Sequence, residues 1–229
     1  MNAHPWFYRL SLVATAMALC VVVLGAWVRL TDAGLGCPDW PGCYGQWDVP
    51  DTDEAIATAN AAFPETPVDV GKGWREMVHR YLASTLGLLI VGLGAFAWRK
   101  RHRPGQPWRV PLLLIALVCF QGVLGAWTVT WQLKPVVVTA HLLGGLTTLS
   151  LLWWVTLRSN HLGGGGGLSR VPGLGAFLAI GTLVAIGQIS LGGWTSTNYA
   201  ALACNDFPAC SLGEYWPEEA DFAEGFVLW

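Results

Sequence analysis

Five apolar runs, at about residues 10–29, 77–98, 110–131, 136–157 and 172–194, set the terms for this chain. Each is long enough to cross the hydrocarbon core of a bilayer, which takes roughly 20 residues of α-helix. Only 12% of the residues are charged and 53% are hydrophobic, whereas a soluble domain carries about 25% charged residues. Fourteen tryptophans fit the same solvent, because indole rings favour membrane–water interfaces. The first run follows Arg9 and is too long for the apolar region of a signal peptide, about 7–15 residues. It also lacks a small-x-small cleavage site, and it continues past the lipoprotein-like "MALC" ending at Cys20. It is read as a retained helix.

The charges orient these helices. With the N-terminus in the cytoplasm, Arg9, Arg99, Lys100, Arg101, Arg103, Arg109, Arg158 and Arg170 lie inside, and all fifteen acidic residues lie on the other side. That is the distribution the positive-inside rule requires. It predicts a multi-pass protein of a bacterial-type inner or plasma membrane, surrounded by lipid, with no nucleic-acid partner.

The long polar loop at 30–76 then faces the outer compartment and contains "GLGCPDWPGC" (34–43). A second such unit, "ALACNDFPAC" (201–210), follows the fifth run. Disulfides persist on that side of the membrane. Four cysteines allow three pairings, and the spacing suggests local bridges, Cys37 with Cys43 and Cys204 with Cys210. Loop staples and a redox-active dithiol both remain open. A zinc site lacks the usual C-x2-C spacing and a nearby histidine. Cys20 and Cys119, inside apolar runs, are read as packing residues.

The duplication extends beyond the cysteines. Residues 24–43 ("LGAWVRLTDAGLGCPDWPGC") match residues 191–210 ("LGGWTSTNYAALACNDFPAC") at nine of twenty positions, with an offset of 167. "QGVLGAWT" (121–128) and "QISLGGWT" (188–195) repeat the same helix ending. The predicted fold is therefore all-α: a four-helix transmembrane bundle over 1–158 and a Gly-rich cytoplasmic linker over 159–171. A second repeat then begins over 172–229 with one helix and its Cys loop.

Ionisable groups inside a membrane usually mark function. Glu76, His79 and Arg80 open the second span, and His141 lies about one and a half turns into the fourth. Both spans run inward from the outer side, so the two imidazoles lie at similar depth. On neighbouring helices they suit the opposed axial positions of a haem iron. Gly144 and Gly145 beside His141, and Gly87 beyond His79, leave room for a flat macrocycle. Helix–helix hydrogen bonding is the plainer role for such histidines. Glu76 lies three residues before His79, on one helix face, and suits an acid or base, or a helix cap. Arg80 suits a haem propionate or the headgroups.

"RLTDAGLGCPDWPGC", "EMVHRYLAS", "VTAHLLGG" and "LGGWTSTNYAALAC" together resemble the haem A synthases. The resemblance implies paired four-helix bundles that convert haem O to haem A for cytochrome oxidase. The C8 methyl is oxidised to a formyl group through successive hydroxylations. The N-terminal bundle would hold the substrate haem, and the C-terminal bundle a cofactor haem b. Carried over by motif, His79 and His141 are the haem ligands. Glu76 is the carboxylate at the reacting edge, stabilising a cationic intermediate, and Arg80 completes the Glu-x-x-His-Arg motif. Cys37 and Cys43 match an outer-loop disulfide. Haem O synthase, an electron donor and further copies of the chain are the protein partners this reading admits.

Counterparts of His79 and His141, 167 residues on, would fall at positions 246 and 308, past residue 229. The expectation is an incomplete form without the cofactor haem and without synthase activity of its own. Two rival functions are an electron conduit holding haem through two histidines, and a thiol oxidoreductase working through Cys37 and Cys43.

Overall fold

A computed structural model describes residues 4–160 and 173–200. Among these residues the fold is all-helical: α1 (Pro5–Leu30), α2 (Asp53–Ala62), α3 (Val70–Arg99), α4 (Arg109–Thr130), α5 (Pro135–Ser159) and α6 (Leu174–Thr197). All but α2 are long and apolar enough to span a membrane. The chain is a multi-pass integral membrane protein.

Helix ends are fixed by local chemistry. The His4 ring accepts from the Trp6 N–H, and Pro5 occupies the first turn of α1, where its missing N–H costs nothing. Asp69 caps α3 by accepting from Lys72 N at 2.9 Å. That cap starts α3 at Val70 rather than near 77, so Glu76 lies in the second turn and is not the cap. Pro135 opens α5. α2 lies within the stretch read as a polar loop, capped by Thr52 with Asp53 and Glu54 in its first turn, where carboxylates favour the dipole.

Four helices form a ring. α1 packs on α3 and α5, α4 packs on the same two, and α6 lies outside against α5. α3 and α5 therefore face each other diagonally. The expectation that their histidines sit on neighbouring helices is corrected to opposite corners of the bundle. The end of the bundle carrying Arg99 and Arg158 has a dry core that includes Phe7, Ile90, Leu93, Leu114 and Leu152. Within it, the Thr15 and Thr156 hydroxyls pair at 3.0 Å between α1 and α5.

The opposite end carries a separate small core of Cys37, Cys43, Tyr44, Val49, Ala59 and Met77. Cys37 and Cys43 form a disulfide with Cα atoms 4.8 Å apart. Beyond it the chain turns sharply at Tyr44 and Gly45, both at positive φ, and the two Asp39 carboxylate oxygens accept from their N–H groups at 2.6 and 2.7 Å. The Cys204–Cys210 pair and nearly all of the Gly-rich linker lie outside the described residues. Cys20 and Cys119 are free thiols on the bundle's outward surface rather than packed inside it.

Burial, followed by the charges of Asp69 and Asp39, pushes the Tyr44 phenol above its ordinary value. The neutral phenol is thus favoured in the folded cap. That contribution is full below about pH 10 and fades as pH rises through the folded value. Alkaline titration followed at the phenolate absorbance should show Tyr44, identified by difference from Tyr44→Phe, ionising after the exposed tyrosines.

Near the same end, residues separated by the repeat offset touch. Tyr199 donates to Asp32 Oδ1 at 3.0 Å, and Arg29 donates to the Ser196 carbonyl. Arg29 also stacks over Tyr199 at 4.3 Å. Contacts between equivalent positions are what an axis of two-fold pseudo-symmetry produces.

Candidate functional site

The site begins where the cysteine loop lies on α3. A Cβ on Gly36 would stand 2.6 Å from the Lys72 carbonyl carbon, so only glycine lets the loop touch the helix backbone there. This contact brings the Cys37 N–H to Glu76 Oε2 at 3.0 Å. The other carboxylate oxygen of Glu76 accepts from Arg80 Nη2 at 2.5 Å, one turn on. Arg80 Nη1 donates to the carbonyls of Asp39 and Pro41 at 3.0 and 3.3 Å, and to that of Gly42. Glu76 is only 5% exposed. Glu76, Arg80 and the disulfide loop form one hydrogen-bonded plug over the bundle.

Beneath the plug the packing thins. None of residues 19–27 on α1, 78–85 on α3 or 138–146 on α5 is fully buried. A helix packed against a filled core should bury a residue every three or four positions. On α4 only Gln121 and Leu124 are buried at this level, so the layer is under-filled relative to the dry core below and the small core above.

His79 and His141 both lie in this layer. Each has a buried Nδ1 without a hydrogen-bond partner, an arrangement proteins seldom leave unexplained. The two rings enter the layer from diagonal helices, α3 and α5. A Cβ on Gly25 of α1 would lie 2.9 Å from His79 Cε1, and one on Gly125 of α4 would lie 3.5 Å from His141 Cε1. The glycines expected to make room behave differently. Gly87 faces Val118 on α4, and Gly144 lies directly against the Gln121 side chain.

Among the described residues, no three His, Cys, Asp or Glu side chains converge as a metal-ion cage. Two opposed imidazoles suit an iron whose other four ligands arrive with it, as in a haem. Two imidazoles with buried Nδ1 atoms, on diagonal helices of this under-filled layer, fit such a group. Glu76, His79, Arg80 and His141 are thus brought to one end of the bundle. Glu76 and Arg80 lie in the plug, and the histidines lie one level deeper.

Sequence reasoning missed Gly25, Gly125 and Gln121 as neighbours of the histidines. The signal was present, because Gly25 and Gly125 are the glycines of the repeated "LGAW", used only as a marker of symmetry. Gln121 opens "QGVLGAWT", and its buried amide nitrogen has no partner.

Fold and site define a class: a helical multi-pass membrane protein with two histidines across an under-filled layer of a four-helix bundle. Within that class, the chain belongs to the family described as cytochrome oxidase assembly protein (COX15-CtaA), whose model matches residues 8–229. It is similar to the heme A synthase of Shewanella oneidensis, 43% identical over 221 residues, covering 96% of this chain and 64% of that protein. The heme A synthases of Novosphingobium aromaticivorans and Shouchella clausii are 30% and 27% identical, covering 96% and 98% of this chain. This chain covers 69% and 70% of those two proteins. The chain thus spans about two thirds of the length of these curated relatives. No solved structure matches it.

Proposed function

We propose that residues 1–158 form the substrate-haem bundle of a haem A synthase, an oxidoreductase that converts the C8 methyl of haem O to a formyl group for cytochrome oxidase assembly. The observation that carries the reading is the under-filled layer with a histidine at each of two opposite corners. The relatives' shared name, heme A synthase, supports the activity. Haem O is the substrate, and haem b is the cofactor of the second bundle in the family's two-bundle architecture. An electron donor, and haem O synthase as supplier, complete the partners.

In this reading residues 1–158 form the haem-holding bundle and 172–229 begin the second repeat. The N-terminus is cytoplasmic and the disulfide loop lies on the outer side, as the charge distribution supports. Haem supplies the iron and the methyl group to be oxidised. The protein's part is to hold and enclose. His79 and His141 grip the iron from the two diagonal helices. Glu76 keeps a carboxylate at the mouth of the layer, available as a counter-charge or proton acceptor for the reacting edge. Arg80 orients that carboxylate and ties the loop to it. The Cys37–Cys43 bridge stiffens the plug that keeps bulk water out.

Purified chain in detergent, titrated with haem B as a probe, is expected to take up one equivalent and give a six-coordinate, low-spin spectrum. A folded protein that stays colourless, or a five-coordinate spectrum in the wild type, would remove the two-histidine reading.

A further inference from the structure

The repeated "LGAW" element does the same thing twice. On α1, Gly25 lies beneath the His79 ring, and the carbonyl of Val21, four residues earlier, faces that ring. On α4, Gly125 lies beneath His141, and the carbonyl of Gln121, again four residues earlier, faces it. Helical Cβ atoms tilt toward the N-terminus, so the side chain at i+4 covers the surface around the carbonyl of residue i. Glycine at i+4 leaves that carbonyl open, and a carbonyl already bonded within the helix keeps a second lone pair.

A histidine that binds iron through Nε2 carries its remaining proton on Nδ1, and ligating histidines almost always give that proton to an acceptor. Here both Nδ1 atoms are buried and neither has a hydrogen bond of full geometry, so each proton is still to be placed. We propose that Gly25 and Gly125 are histidine seats: each bares one helix carbonyl, Val21 or Gln121, to receive Nδ1–H and so aims Nε2 into the bundle. These are positioning residues, acting through the histidines, and the proposal rests on the haem reading above. Close helix packing does not account for the pattern. α6 carries the same element, and a Cβ on its matching glycine, Gly192, would meet nothing within 4 Å, while the contact with α5 falls on Gly193.

The contact distances rank the variants. Gly25→Ala forces a methyl to within 2.9 Å of the His79 ring, whereas the 3.5 Å at Gly125 is ordinary contact. Gly125→Ala should therefore be nearly silent and Gly125→Val disruptive. Gly87→Ala, which would meet only Val118 at 3.8 Å, is the control. Two readouts apply to the purified full chain. In haem-free protein labelled with 15N-histidine, His79 and His141 should be Nδ1-protonated in the wild type, and Gly25→Ala should change the His79 signal alone. On titration with haem B, Gly25→Ala and Gly125→Val should each weaken binding roughly 10–100-fold and convert low-spin haem to high-spin, with the melting temperature close to wild type.

Unchanged tautomers and spectra in both variants would overturn the seats, as would an equal loss in Gly87→Ala. If the wild type binds no haem while the His79 tautomer still follows Gly25, the haem reading falls and the seats stand.

Discussion

His79→Ala and His141→Ala are each expected to weaken haem B binding by at least about 100-fold, since disturbing even an outer-shell partner of a metal ligand costs 10–100-fold. The loss should be spectroscopic before it is structural. Neither Nδ1 has a hydrogen bond of full geometry to a neighbouring helix, and the dry core below the layer does not include the two rings. Truncation therefore removes a ligand from an already under-filled layer and should leave helicity and melting nearly unchanged. Haem that remains bound should be five-coordinate and high-spin, and free imidazole should restore the low-spin form by occupying the vacated corner. His102→Ala, outside the helices, should change nothing. Six-coordinate low-spin haem surviving both truncations would mean that the ligands lie elsewhere.

The sequence was informative about depth and poor about direction. Run length and the segregation of Arg and Lys from Asp and Glu gave the five long helices, because a bilayer imposes both constraints residue by residue. The same logic put Glu76, His79 and His141 near one end. It could not tell which corner of the ring each helix takes, since that depends on contacts between runs that look alike in composition. Hence His79 and His141 were expected on adjacent helices and lie on diagonal ones. The outer loop was the least legible part. Its organisation rests on main-chain carbonyls of Asp39, Pro41 and Gly42 gathered by Arg80, and carbonyls carry no side-chain signature. α2 was hidden for a different reason. It is short and alanine-rich, and its helical signal lies in the Thr52 cap rather than in an apolar stripe.

Arg80→Leu should cost about 3–5 kcal/mol of stability, the usual price of leaving one partner of a buried ion pair uncompensated. The side chains of Arg80 and Glu76 are only 12% and 6% exposed, so water cannot replace the lost guanidinium. The variant also strips the donor from three loop carbonyls, which should loosen the disulfide loop around an intact Cys37–Cys43 bridge. Glu76→Leu alone leaves the arginine with its carbonyl partners and should cost less, although the Cys37 N–H loses its acceptor. In the double variant no buried charge stands alone. Exchanging a buried pair for apolar groups is often close to neutral, so Arg80→Leu/Glu76→Leu should recover much of the loss. Melting of the four proteins in one detergent measures the coupling directly. Additive losses would show that Arg80 acts on the loop alone. Strong recovery would show that the pair is a single electrostatic unit, whose function is to keep one carboxylate fixed at the mouth of the histidine layer.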